Sequence, residues 1–272
     1  MAIISIATLN GKLYENSVAN SLATIWRESG HEIRVGRDFD PKADVAILHH
    51  DLSTISPEKI PVAPSGITIV NGAALDIRKR GYSMLRVERD TDWAGEVLVK
   101  TDANYFGIPE KRGRRRPLLD TQLDRLAALN WKLARRLPHR TYPVVNHVRR
   151  VPRWVWNDPT YIVERFMPER EDDLYCLRGW MFLGKQGYGW RLFSTDPMVK
   201  TGSMVRYEYL DETPEELESV RAQCKVDFGK IDYVVHDGRA YVFDVNKTPS
   251  FTGDPASPRL RRLASGIDDY LS

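Results

Sequence analysis

The stretch Lys230-Ile-Asp-Tyr-Val-Val-His-Asp-Gly-Arg-Ala-Tyr-Val-Phe-Asp-Val-Asn-Lys-Thr-Pro249 constrains the chain more than any other. Apolar residues alternate on both sides of Asp237-Gly238, the pattern of two antiparallel strands joined by a tight turn. A two-residue loop sets Ile231 opposite Asp244 and mixes apolar and polar side chains on each face. A three-residue loop, His236-Asp237-Gly238 with Gly238 left-handed, pairs Val235 with Arg239 instead. It predicts one face of Ile231, Tyr233, Val235, Tyr241, Phe243 and Val245, and another of Lys230, Asp232, Val234, Val242, Asp244 and Asn246. Side chains alternate strictly along a strand, so a one-residue slip exchanges the faces, and the clean separation selects this second register. Asp232 and Asp244 then lie diagonally, with Lys230 opposite Asp244. Two carboxylates and an amide oxygen are hard donors suited to Mg²⁺ carrying nucleotide phosphates; a solvated face of mixed charge is the other reading.

The run from Lys230 to Pro249 resembles the metal-binding end of the ATP-grasp superfamily. There a basic residue, an acid two positions later, and an acid-x-Asn-x-x-Pro run hold Mg²⁺ and the triphosphate. The resemblance implies that Asp232, Asp244 and Asn246 are metal ligands. Lys230 stands where an Arg is common, and Asp244 replaces a frequent Glu. The implied cofactors are ATP and Mg²⁺, with Mn²⁺ as a chemically similar substitute.

Composition sets looser limits. The chain has 272 residues, 42% hydrophobic and 28% charged, as an ordinary globular α/β protein has. A formal net charge of only +3 calls for neither a nucleic-acid nor a membrane partner. Cys176 and Cys224 are the only cysteines, too few for a disulfide framework or a zinc motif. No segment reaches the roughly 20 apolar residues that cross a bilayer, and the N-terminal apolar run lacks a basic leader. A cytoplasmic protein is the default expectation.

Taken in order, residues 2–8 read as a buried strand and Ser17 to Ser29 as a helix with Val18, Leu22, Ile25 and Trp26 on one side. Residues 32–35 and 44–49 give further strands, the start of a small open α/β domain. His49, His50 and Asp51 close the latter strand, where ligands of such sheets gather, and are weak substrate-site candidates. No G-x-G-x-x-G follows the first strand, which argues against a dinucleotide fold. Pro57 to Ser65 reads as a linker, Ile67 to Asn71 as a strand, and Asp76 to Leu85 as a helix carrying Lys79. Strand 97–99 ends in Lys100, and Leu118 to Leu137 reads as a helix. The resemblance implies that Lys79 and Lys100 reach nucleotide phosphates.

The basic run Glu110 to Arg116 has three readings: a solvated loop, an anion-gripping lid, or a nucleic-acid patch. Without interleaved aromatics the last is the weakest. Tyr161 to Met167 resembles the family's hinge strand, in which Glu164 and the Met167 backbone hold adenine. A ribose-binding acid follows a few residues on; Glu171 fits the spacing, with Glu169, Asp172 and Asp173 competing. Arg178 lies inside an apolar strand, where a charge needs a partner. It matches an Arg that meets phosphate or acyl-phosphate oxygens in the family; Arg191, Lys200 and Thr201 could line the same cleft. Thr213 to about Val226 and Pro258 to Tyr270 read as helices.

The expected fold is α/β, an ATP-grasp fold behind a small open α/β domain. Its parts are residues 1–66, then 67–163 with the phosphate-contacting Lys and loop, then 164–272 with the metal hairpin. The resemblance implies a ligase that joins a carboxylate to an amine or thiol through an acyl phosphate, with Arg178 and Lys230 as its catalytic cations; a homodimer is compatible with this. The alternatives are an ATP-grasp kinase, a nucleotide binder without turnover, and a basic nucleic-acid module.

Overall fold

A computed structural model describes residues 1–112, 117–250, 254 and 256–271; the side chains of 117–119 and 201 lie outside that description. The N-terminal part is built from β1 (Ile3–Ala7), α1 (Val18–Glu28), β2 (Glu32–Gly36), β3 (Val45–Leu48) and β4 (Ile69–Val70). The strands form a parallel sheet in the order β2-β1-β3-β4. Ser17 caps α1 by accepting a hydrogen bond from the Asn20 N–H, and Val18, Leu22, Ile25 and Trp26 are buried along one stripe, as their spacing predicts. The strand expected over 67–71 contracts to β4 and completes this sheet. The chain therefore returns to the N-terminal sheet after the Pro-rich segment.

A second sheet, antiparallel in the order β6-β5-β7, comprises β5 (Val97–Thr101), β6 (Val144–Val145) and β7 (Tyr161–Arg165). Three helices belong to this part of the chain, α2 (Lys79–Tyr82), α3 (Pro117–Ala134) and α4 (Arg153–Asn157), of which α4 packs on β7. The helix expected from Asp76 to Leu85 shrinks to the single turn α2, because Arg78 (ψ 141°) and Ser83 (ψ 118°) are extended on either side of it. The expected helix 118–137 is α3, interrupted at Asn130 (φ −152°, ψ 90°) and ended at Ala134. The Asn130 side chain accepts from the N–H groups of Lys132 and Leu133, a local turn that competes with the helix.

The third sheet runs β11-β10-β9-β12-β13, with β8 also paired to β9. Its strands are β8 (Glu169–Glu171), β9 (Leu174–Leu183), β10 (Gln186–Ser194), β11 (Met204–Leu210), β12 (Phe228–His236) and β13 (Arg239–Asn246). Helix α5 (Glu215–Cys224) packs behind β12 and β13 through Leu217, Val220 and Cys224. Helix α6 (Pro258–Ala264) packs on α1 and β10. The largest core joins the N-terminal unit to this sheet: Leu22, Ile25 and Trp26 lie with Met181, Leu192, Phe228, Leu260 and Leu263. The Trp26 indole N–H donates to the Ala264 carbonyl at 2.8 Å, closing the two chain ends on each other.

The β12–β13 turn corrects the expected register. His236 pairs with Arg239, so the loop has only two residues, Asp237 (φ 51°) and Gly238 (φ 75°). Two left-handed residues are what a two-residue hairpin loop requires, and Asp-Gly supplies them. This loop by itself sets Asp232 out of step with Asp244. A bulge between Asp232 and Tyr233 then shifts the ladder by one residue, so that Asp232 pairs with Asp244, Ile231 with Val245 and Lys230 with Asn246. Ile231, Tyr233, Ala240, Val242 and Val245 face the α5 core, whereas Phe243, expected in the core, lines the cavity described below. Lys230 lies opposite Asn246 and not Asp244.

Asn71 pins the start of this hairpin to the N-terminal sheet. It is fully buried with φ 61°. Its side-chain oxygen accepts from the N–H groups of Asp227 (2.8 Å) and Phe228 (3.0 Å), its amide donates to the Phe228 carbonyl (2.8 Å), and its own N–H donates to the Asp227 carboxylate (2.7 Å). Removing that side chain strands three buried backbone groups. Asn71→Ala is expected to lower the free energy of urea unfolding by about 3 kcal/mol, and a change within error of zero would contradict this pinning role.

Candidate functional site

A cavity of about 850 Å³ opens where the three sheets meet. Lys79 from α2, Lys100 from β5, Glu164 from β7, and Asp232, Asp244 and Asn246 from the hairpin all line it. Thr8, Asn10 and Ser17 from the N-terminal loop and His49 after β3 form its far wall. Strand geometry explains the convergence. Lys100 follows three buried valine and leucine residues on β5, and Glu164, opposite Leu98 on the antiparallel neighbour β7, lies diagonal to it.

Charges this deeply buried must be paired. Lys100 Nζ lies 2.9 Å from Glu164 Oε2, and both side chains are almost inaccessible. Ser83 Oγ donates to the other Glu164 oxygen at 2.7 Å. The Lys100 ammonium also sits 4.8 Å from the Phe243 ring centre and 5.8 Å from that of Tyr142. Burial works to lower the Lys100 pKa, but the negative charges of Glu164 and Asp244 outweigh it and hold the pKa above the usual lysine value. Lys79, 1% exposed, contacts Asp244 Oδ1 at 3.0 Å and donates to Asn104 Oδ1 at 2.6 Å. Lys230 contacts Asp232 Oδ2 at 2.7 Å.

The facing carboxylates are pushed apart. For Asp244, burial acts upward, yet Lys79, Lys100 and Lys230 together hold its pKa down. For Asp232, burial together with repulsion from Asp244 wins over Lys230, and its pKa is raised. Asp232, Asp244 and the Asn246 amide oxygen are a hard-oxygen set that fits a divalent cation. Among the described residues no group of three His, Cys, Asp or Glu side chains can hold a metal, so further ligands would be phosphate oxygens and water. Asn246 Oδ1 already accepts from the Thr248 N–H at 2.8 Å, which fixes its direction.

The remaining residues singled out in the sequence are placed as follows. Met167 lines the cavity, and its carbonyl is paired with His236 Nε2 at 2.9 Å. Lys200 lines the cavity as well. Arg178 does not; its guanidinium grips both oxygens of Glu169, which also accepts from the Val235 N–H. Glu171 lies outside the lining, its carboxylate shared by Arg191 and Arg206. Lys230 stands behind Asp232, outside the lining. Arg112 bridges the cavity mouth to Asp51 at 2.8 Å, while the rest of the basic run, residues 113–116, lies outside the described residues. So do the Thr201 side chain and residues 251–253 and 255 of the stretch after Pro249.

Several lining residues carried no sequence signal. Asn104, Tyr142 and Phe243 complete the shell around the lysines, with Ser83 behind Glu164 and outside the lining, and only the fold brings them there. Lys247 is the most unusual. It is 1% exposed, and burial pushes its ammonium down to about 8. His49 is held down to about 4 by burial first, then by the nearby His50 and Lys247.

No protein-family model matches the chain, and no curated protein matches it. Solved structures do. The ATP-grasp ligase PsnB, complexed with a minimal precursor, Mg and ADP, aligns over 99% of this chain and 97% of that one at 10% identity, with a TM-score of 0.54. The macrocyclase MdnC from Microcystis aeruginosa MRC, bound with precursor peptide MdnA, aligns over 99% of this chain and 100% of that one at 9% identity, with a TM-score of 0.52. The chain has the ATP-grasp fold, as the sequence resemblance implies.

Two stability experiments follow. Lys100→Met and Glu164→Gln each leave a buried group without its partner and are expected to cost about 3 kcal/mol in chemical denaturation, whereas the double variant recovers much of the loss; additive losses would contradict a direct pair. The His49 pKa in the folded chain lies below that of the unfolded chain. Its contribution is therefore complete above pH 6.5 and is lost as the pH falls toward 4. Between pH 7 and 4.5 wild type should lose on the order of 2 kcal/mol more stability than His49→Phe; parallel profiles would refute the assignment.

Proposed function

We propose that the chain is an ATP- and Mg²⁺-dependent ligase that joins a carboxylate to an amine or thiol. The observation that carries this reading is the ring of buried lysines facing two carboxylates and an amide oxygen across one cavity. In this reading Lys79 and Lys100 would meet nucleotide phosphates, and Glu164 with the Met167 backbone would border the base. Asp232, Asp244 and Asn246 would hold Mg²⁺, which supplies charge neutralisation to the phosphates. Lys12, Arg140 and Lys200 also line the cavity and have no ion-pair partner among the described residues, so its walls favour a polyanion.

In the proposed reaction a carboxylate oxygen of the acid forms a bond to the γ-phosphorus while the bond to the ADP oxygen breaks. The amine or thiol then attacks the acyl carbon, phosphate leaves, and the nucleophile gives up a proton. The chain's residues position the reactants and stabilise charge, and no side chain needs to become a covalent nucleophile. Arg178 and Lys230, held here by Glu169 and Asp232, act as catalytic cations if they exchange those carboxylates for phosphate oxygens. Glu171 serves a ribose only if it releases Arg191 and Arg206.

Mg²⁺-ATP is expected to raise the thermal midpoint by several degrees, and Asp244→Ala or Lys79→Met to remove most of that rise. Absence of any ATP-dependent rise in wild type would end the nucleotide reading. ADP formation that depends on both an acid and an amine or thiol distinguishes a ligase from a kinase, which needs only a hydroxyl acceptor. PsnB and MdnC were solved with precursor peptides, so the screen should include peptide acids and amines.

A further inference from the structure

The end of the cavity beside the N-terminal sheet contains polar groups that the protein itself leaves unsatisfied. Lys247 lines the cavity with its ammonium 1% exposed, and the hydrogen bond it makes, to the Ala74 carbonyl at 2.8 Å, uses one donor of three. The nearby carboxylates do not close on it. Asp51 is taken by Arg112 and Asp76 by Arg78, while Glu110 accepts from the Ser53 N–H through Oε1 and keeps Oε2 buried without a partner. No carboxylate among the described residues comes within ion-pair distance of Lys247. His49 also lines the cavity, is 7% exposed and stacked 6.2 Å from the Phe228 ring, and keeps Nδ1 buried without a partner. His50, 5% exposed, has Nε2 in the same state.

A buried ammonium with one hydrogen bond and no direct ion pair, beside imidazole nitrogens without partners, is costly unless something anionic completes it. Building on the ligase reading, we infer that this pocket of Lys247 and His49 is where the acid substrate docks, its carboxylate taken by the Lys247 ammonium and a His49 ring N–H. The position agrees with the chemistry. Lys247 directly follows Asn246, so an acid held here lies beside the hairpin that faces the phosphates. Leu9, Tyr14 and Leu52 supply apolar surface among the polar residues of the cavity lining, room for the carbon skeleton of an organic acid.

Acetate serves as the probe. Histidine ring ¹⁵N signals are followed at pH 7.5 during titration with sodium acetate, against sodium chloride at matched ionic strength. The His49 and His50 signals are expected to move in a saturable way with acetate alone. Lys247→Arg, which keeps the charge, retains the response, and Lys247→Met weakens it at least tenfold. His49→Phe, read through His50, weakens it as well and provides a second variant should Lys247→Met fail to fold. No saturable movement in wild type, or an undiminished response in Lys247→Met, overturns the inference. The Mg²⁺-ATP thermal rise, measured on the same samples, separates the two readings. An acetate response without that rise removes the ligase and leaves the anion pocket, whereas the rise without the response removes the pocket alone.

Discussion

Desolvated charge governs the arrangement of this protein. Lys79, Lys100 and Lys230 come from α2, β5 and β12, and the carboxylates that satisfy them, Asp244, Glu164 and Asp232, come from β13, β7 and β12. None of these buried ions is tolerable alone. The Lys79–Asp244 pair therefore fixes the central segment against the hairpin, and the Lys100–Glu164 pair locks β5 to β7 at the cavity edge. On the proposed reading, each ammonium would turn to phosphate as its carboxylate turns to metal, so the exchange would leave no charge unpaired and the pairing that stabilises the ligand-free fold would also prepare the site for its ligands.

The apolar framework serves this placement. The core that joins α1 and α6 to β9, β10 and β12 ties the N-terminal unit to the sheet bearing the hairpin. Asn71 adds a polar tether at the point where β12 starts. The N-terminal wall of the cavity, with His49 and the loop after β1, thus stands at a fixed position relative to Asp232 and Asp244. On the proposed reading, a substrate bridging the two walls would meet a preformed surface, which favours positioning over induced assembly.

Much of this was legible in the sequence, and the failures have physical causes. Periodicity located α1 and its buried stripe, and Lys100 and Glu164 were found through the resemblance of their strands to those of the ATP-grasp family. The hairpin shows the limit. Face separation argued for a three-residue loop, but Asp237 accepts a left-handed conformation and the loop closes with two. The bulge next to Asp232 then set Asp232 directly opposite Asp244, where a diagonal placement was expected, by a route that alternation could not reveal, and it sent Phe243 into the cavity. Arg178 was readable as an ion needing a partner; that the partner is Glu169, nine positions earlier on β8, was not. Lys247 gave no signal because nothing local distinguishes a buried lysine from an exposed one.

The central claim is that the hairpin face of Asp232, Asp244 and Asn246 holds a divalent cation together with nucleotide phosphates. Crystals grown with Mn²⁺ and a non-hydrolysable ATP analogue test it directly, because Mn²⁺ can be located by its anomalous scattering. The account requires a peak within about 2.5 Å of oxygens from Asp244 and at least one of Asp232 and Asn246, with Lys79 moved from Asp244 to phosphate. Nucleotide bound with no Mn²⁺ at this face, or with Lys79 still on Asp244 and the cation held elsewhere, would contradict it.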